Sequence, residues 1–189
     1  MRKKERMRIL ATADNSHWSG NMNTRIFLIG FMGSGKSTLG VKLAREIGYE
    51  FVDMDFLIEE TAGMTVAGIF SELGEEVFRK WEHDILLELC TKENVVISTG
   101  GGAPCHGDMM KIMNKHGCTV YIKLSPETLK NRLQNSRTER PLIKGKTEQE
   151  LLAFITSKLT EREQYYDQAR HTVDGMNLQP GELMSILQE

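Results

Sequence analysis

The nine residues GFMGSGKST, Gly30 to Thr38, follow directly on the apolar run RIFLI, Arg25 to Ile29. Gly30, Gly35, Lys36 and Ser37 satisfy G-x-x-x-x-G-K-[ST], a pattern whose physics requires a strand before it and a helix after it. Glycines let backbone N–H groups turn inward toward an anion without side-chain obstruction. The helix that follows adds its partial positive charge at the same point. Lys36 is placed to reach the β- and γ-phosphates of a nucleoside triphosphate, and Ser37 to offer an oxygen to Mg2+. At ordinary residue frequencies the pattern arises by accident at roughly 4 in 100,000 positions, so it is read here as a nucleotide phosphate loop. Its candidate contacts are Gly33, Ser34, Gly35, Lys36, Ser37 and Thr38.

Such a loop needs a parallel sheet behind it. β-rich runs at 25–29, 50–53, 95–98, 119–123 and 171–173 alternate with helical patterns at 36–47, 56–61, 66–73, 75–91, 109–115, 126–133 and 148–169. Strands separated by helices read as parallel strands joined by right-handed crossovers. The expectation is a three-layer α/β/α sandwich with a five-stranded parallel sheet, its ligands beyond the carboxyl ends of the strands. The chain of 189 residues suits one such domain, at 24–189. Residues 1–23 are basic and then polar, with only Ile9, Leu10 and Ala11 consecutively apolar. That is too little for a signal-peptide core, and the segment is read as a disordered extension. A net charge of −2 argues against a surface for nucleic acid. No apolar run has the length of a membrane span. Three cysteines without a C-x-x-C pair fit a reducing, cytoplasmic setting.

The phosphate loop by itself does not choose a reaction. No N-K-x-D guanine-reading motif is present, which argues against a typical GTPase, and one compact domain favours a small-molecule kinase. VDMD, Val52 to Asp55, sets two carboxylates two residues apart at a strand end, where both can face one side. One near Mg2+ and one near an acceptor hydroxyl is what phosphoryl transfer needs, although a helix N-cap at Asp55 would use the same residues. VVISTGGGA, Val95 to Ala103, runs a strand into three glycines, Gly100, Gly101 and Gly102, which allow close approach of a ligand to the backbone. No carboxylate follows this strand; Ser98 and Thr99 stand there, which leaves the metal to Asp53. SRTERPLIKGK, Ser136 to Lys146, is polar and basic, the composition of a mobile lid at about 134–146. Arg140 or Arg137 could there offset charge on a transferring phosphate. Arg79, in FRKWE, is by itself no more than a helix-surface charge.

Taken in order and spacing, GFMGSGKST, VDMD, FRKWE, STGGGA, the RPLI of the lid and REQYY at 162–166 resemble the shikimate kinase family, from about Arg25 to the C-terminus. The resemblance implies a fold of the P-loop kinase type and transfer of the ATP γ-phosphate to the 3-hydroxyl of shikimate. It implies Mg2+ held by Ser37 directly and by Asp53 through water, with Lys36 and the backbone of the loop on the ATP phosphates. Asp55 would contact the ring hydroxyls and act as base. Arg79 and Arg162 would bind the shikimate carboxylate, with Gly100, Gly101 and Gly102 lining that pocket. Arg140 would close with the lid onto the phosphates, and Arg132 would flank the nucleotide. ATP and shikimate are then the only partners expected, for a monomer.

Two departures from the family stand out. The loop DGMNLQP, 174–180, lacks the arginine usual near adenine, so the base must be held differently. The basic extension has no assigned role. Another small P-loop kinase, of the gluconate or nucleoside-monophosphate type, or an inactive nucleotide-binding regulator, remain the alternatives at the level of sequence.

Overall fold

The structure, a computed structural model, describes residues 8–9, 25–136 and 141–187. Its strands are β1 (Arg8–Ile9), β2 (Arg25–Ile29), β3 (Glu50–Asp53), β4 (Val95–Ser98), β5 (Cys118–Lys123) and β6 (His171–Asp174). They form one sheet in the order β1-β3-β4-β2-β5-β6. The five strands from β2 to β6 are parallel, as expected, with Ile26 opposite Val96 on one side and Cys118 on the other. β1 adds an antiparallel edge, Arg8 opposite Val52 and Ile9 opposite Phe51, inside the segment read as a disordered extension. The rest of residues 1–23 lies outside the described residues.

The helices are α1 (Lys36–Ile47), α2 (Met54–Ala62), α3 (Val66–Glu72), α4 (Gly74–Leu89), α5 (Met109–His116), α6 (Pro126–Gln134), α7 (Glu148–Tyr166) and α8 (Pro180–Leu187). Alternation along the strands divides the core in two. Phe27, Ile29, Val95 and Ile97 pack with side chains of α2 to α7 on one face. Ile26, Leu28 and Val96 pack with Leu39, Leu43 and Ile47 of α1 and Leu183 and Met184 of α8 on the other. β2 is buried on both faces, as a central parallel strand must be. Among the described residues no helix is long and apolar enough to cross a membrane.

Two boundaries differ from the sequence expectation in ways that matter. The helix after β3 begins at Met54 rather than residue 56, because the Asp53 side chain accepts the Phe56 N–H at 3.4 Å and caps it. Asp55 therefore sits in the first turn of α2 and not at the strand end. The C-terminal helix α8, absent from the sequence reading, starts on Pro180 and closes the layer beside α1.

The topology places the site. From β2 the chain crosses to β3, returns to β4 between them, and then crosses to β5 on the other side of β2. At this reversal the carboxyl ends of β2, β3 and β4 open onto one crevice.

Candidate active site

β2 enters the crevice through Gly30, whose φ of 140° only glycine adopts readily. A Cβ there would also lie 2.8 Å from the Ile122 carbonyl oxygen. Gly35, at φ 99°, is the N-cap of α1, so the first N–H groups of that helix face the crevice with no capping side chain in front of them. Lys36 is only 8% exposed, and its ammonium donates to the carbonyls of Gly30 at 2.8 Å and Phe31 at 3.0 Å. The loop thus curls around its own lysine. The Ser34 hydroxyl is buried with no hydrogen-bond partner, a polar group the loop leaves unsatisfied.

Three oxygens from three elements meet beside this loop. Ser37 Oγ donates to Asp53 Oδ2 at 2.6 Å and lies 3.2 Å from Ser98 Oγ. The structure brings Ser98 to the place where a carboxylate was missed in the sequence. Thr99 turns away: its hydroxyl donates to the Leu28 carbonyl at 3.1 Å and ties β4 to β2.

The glycines after β4 connect this oxygen cluster to a second group of charges. A Cβ on Gly100 would stand 2.6 Å from Oδ1 of Asp55 and 3.0 Å from Oε1 of Glu82. One on Gly101 would stand 3.3 Å from the Met32 nitrogen, in the phosphate loop, and 3.6 Å from Nη1 of Arg162. One on Gly102 would stand 3.2 Å from both Nη atoms of Arg79. Three successive residues therefore carry no side chain because each is already faced by a functional group. Arg162 Nη1 donates to the Gly101 carbonyl at 3.2 Å, as does Tyr166 Oη at 2.5 Å, and the guanidinium lies 5.5 Å from the centre of the Phe31 ring.

Electrostatics divide the two ends. Asp55 is held by burial, and by repulsion from Asp53 and Glu82, against the pull of Lys36; its carboxyl is pushed up to about 7. Glu82 is 1% exposed and also raised by burial, offset by Arg79 and Arg162. It accepts from Arg79 Nη1 at 2.8 Å. Glu75 takes the Nε and Nη2 of the same guanidinium at 3.1 and 3.0 Å. Neither glutamate was singled out in the sequence. The signal for Glu82 was present: it is the one charge within the apolar stripe Phe78, Ile85, Leu86 and Leu89 of α4.

On the far side of the phosphate loop lies a cavity of about 150 Å³ lined by Ser34, Gly35, Thr38, Lys42, Arg132 and Asn177, among others. Arg132 donates to the carbonyls of Ser34 and Gly175, each at 3.0 Å. Arg132 of α6 is thereby laid against the 174–180 loop, which has no arginine of its own. Arg137 and Arg140, read as lid residues, lie outside the described residues.

Shikimate kinase from Parabacteroides distasonis is 47% identical over 150 residues, spanning 79% of this chain and 87% of that protein. The crystal structure of shikimate kinase from Bacteroides thetaiotaomicron superposes with a TM-score of 0.85 at 40% identity, over 88% of this chain and 99% of that one. A structure of the Acinetobacter baumannii shikimate kinase in complex with shikimate gives a TM-score of 0.76 at 32% identity, over 87% and 91% of the two chains. The sequence profile described as shikimate kinase matches residues 32–189, and the chain belongs to the shikimate kinase family.

Proposed function

We propose that this protein transfers the γ-phosphate of ATP to the 3-hydroxyl of shikimate, giving shikimate 3-phosphate and ADP, a step of aromatic amino-acid biosynthesis. The observation that carries the reading is the glycine segment 100–102. It holds two arginines fit for a carboxylate and one carboxyl fit for a hydroxyl within reach of the phosphate loop. A small acid bearing hydroxyls matches that spacing of charges.

In this reading the backbone from Gly33 to Thr38 and the Lys36 ammonium take the ATP phosphates, the ammonium leaving the two loop carbonyls for phosphate oxygens. The base of the nucleotide enters the cavity beside Arg132. Arg79 and Arg162 grip the shikimate carboxylate, since a planar guanidinium matches a carboxylate in bidentate fashion. Asp55 faces the ring hydroxyls. Its carboxyl, raised to about 7, suits a group that takes the proton from the 3-hydroxyl as that oxygen attacks phosphorus. Arg140 is assigned from sequence to the charge on the transferring phosphate.

Kinases that use ATP work with a divalent metal. The oxygens of Ser37, Asp53 and Ser98 fit Mg2+, a hard cation that binds few protein groups and keeps several waters. Ser37 would hold it directly and Asp53 through water. Held there, it would supply positive charge to offset that of the ATP phosphates.

The test is ADP release from ATP in the presence of shikimate, quinate, gluconate, AMP or water as acceptor. Shikimate should exceed every other acceptor by roughly a hundredfold or more in kcat/KM, because buried polar groups left unpaired by a wrong acceptor penalise it. Faster turnover with gluconate or AMP would overturn the assignment.

A further inference from the structure

We infer that Glu75 is an internal competitor for the substrate carboxylate: it covers the donor edge of Arg79 that shikimate must use, and it sets shikimate affinity by having to be displaced. The inference rests on the assignment of Arg79 to the substrate carboxylate.

The edges of the Arg79 guanidinium are all covered. One oxygen of Glu75, Oε1, takes both Nε, at 3.1 Å, and Nη2, at 3.0 Å. Glu82 Oε2 takes Nη1 at 2.8 Å. The edge between Nη1 and Nη2 faces Gly102 so closely that a Cβ there would be 3.2 Å from both nitrogens, which leaves no space for a carboxylate oxygen. Above the plane, the rings of Phe78 and Phe70 lie 5.2 and 5.8 Å from the guanidinium carbon. A bidentate grip on a ligand carboxylate therefore requires one of the two glutamates to leave.

The two differ sharply in what leaving would entail. The Glu82 side chain is 2% exposed and buried among charges, so it has no water to move into. The Glu75 side chain is 59% exposed and lies in the first turn of α4, where solvent and the helix N-terminus receive a free carboxylate. The His106 ring, 4.0 Å from Glu75 Oε1, offers it a second partner on the way. Glu82 is thus the fixed brace of Arg79 and Glu75 the exchangeable one. The paired atoms match on both sides of the exchange, carboxylate for carboxylate, so Arg79 is never left as a buried unpaired charge.

The sign of a substitution separates this role from a bracing one. Shikimate binding is to be measured by calorimetry on the full-length parent protein, Glu75→Gln, Arg79→Ala and the double variant, each checked for unchanged thermal unfolding. Removing a competitor strengthens binding, so Glu75→Gln should lower the shikimate Kd by about 1.4-fold to fivefold, the range of a largely exposed ion pair. ATP Kd should be unchanged. On the Arg79→Ala background the same substitution should have no effect, which a general effect on packing or charge would not reproduce. Weaker or unchanged shikimate binding in Glu75→Gln, with Arg79→Ala strongly impaired, would overturn the inference alone and make Glu75 a second brace. Parent-like shikimate binding by Arg79→Ala would overturn the inference together with the assignment beneath it. Glu75→Ala, which lacks the amide's residual hydrogen bonds, should tighten binding at least as much as Glu75→Gln; the reverse order would contradict displacement.

Discussion

Asp55 ionises late because burial comes first among its influences and two carboxylates, Asp53 and Glu82, stand near it, with Lys36 opposing them. The pH dependence follows. The folded protein keeps the proton up to about pH 7, whereas the ordinary value for an aspartate is 3.8. The stability associated with that proton is fully present below about pH 4 and is lost as pH rises through 7. Asp55→Asn should therefore raise the melting temperature by a few degrees at pH 8 and by only about a quarter as much at pH 4.5, as scanning calorimetry would read. In activity the sign is opposite: kcat/KM for shikimate should climb with pH to a plateau above about 7, and Asp55→Asn should lose that limb with a fall in kcat larger than any rise in KM. Lys36→Ala should abolish turnover with the fold intact by circular dichroism, since it removes the positive charge proposed for the β- and γ-phosphates; a folded variant with most of its activity would contradict the phosphate role. Lys36 and Ser37 were legible in the sequence because their motif spacing is itself the geometry of a loop between a strand and a helix, and Asp53 because no carboxylate follows the 95–98 strand. Arg79 and Arg162 were legible only through family resemblance, since nothing local in either helix says that they meet. Glu82 was missed because a glutamate three residues from an arginine on a helix looks like an ordinary surface pair.

Elements are fixed here by where side chains are absent. α1 lies so near β3 that a Cβ on Gly40 would meet the Phe51 ring at 2.5 Å. Gly40→Ala should destabilise the domain by about 1–3 kcal/mol despite better helix propensity, because the ring and the strand behind it must move. Thermal unfolding would show a drop of several degrees; an unchanged or higher melting temperature would mean that the two elements are not in this contact. In the 100–102 segment the same logic acts on function. Gly102→Ala should raise the shikimate KM while leaving the ATP KM in place, as the added methyl displaces the Arg79 guanidinium and touches nothing of the nucleotide site. The alternation of β-rich and helical runs made the parallel sheet readable, since parallel strands require crossovers. What escaped were ends governed by capping. Asp53 looked like a strand terminus and is also the N-cap of α2, which moves Asp55 into a helix. α8 escaped because its eight residues hold only a short apolar stripe, although Pro180 at its start is a helix-initiating signal.

At the scale of the whole molecule, the domain is a sheet whose reversal point gathers the phosphate loop, the oxygens of Ser37, Asp53 and Ser98 and the charged groups of Asp55, Arg79 and Arg162, with β1 at one edge. β1 contributes two residues to that edge, too few to stand as more than a marginal addition. Deleting residues 1–21 should shift the melting temperature by no more than about two degrees and leave turnover unchanged, which unfolding and steady-state assays on the truncated protein would establish. A loss of most activity would mean that the extension takes part in the site. The central claim is that Arg79 and Arg162, brought against neighbouring glycines, together hold the carboxylate of shikimate. Hydrogen bonds to charged groups contribute roughly 1.5–3 kcal/mol each, so losing either arginine should lower kcat/KM for shikimate by about 10- to 150-fold. The most direct measurement is steady-state kinetics of Arg79→Ala and Arg162→Ala with shikimate and ATP varied separately. The account predicts a large defect toward shikimate in both variants and an ATP KM near that of the parent. Parent-like handling of shikimate by both, or a defect confined to ATP, would contradict it.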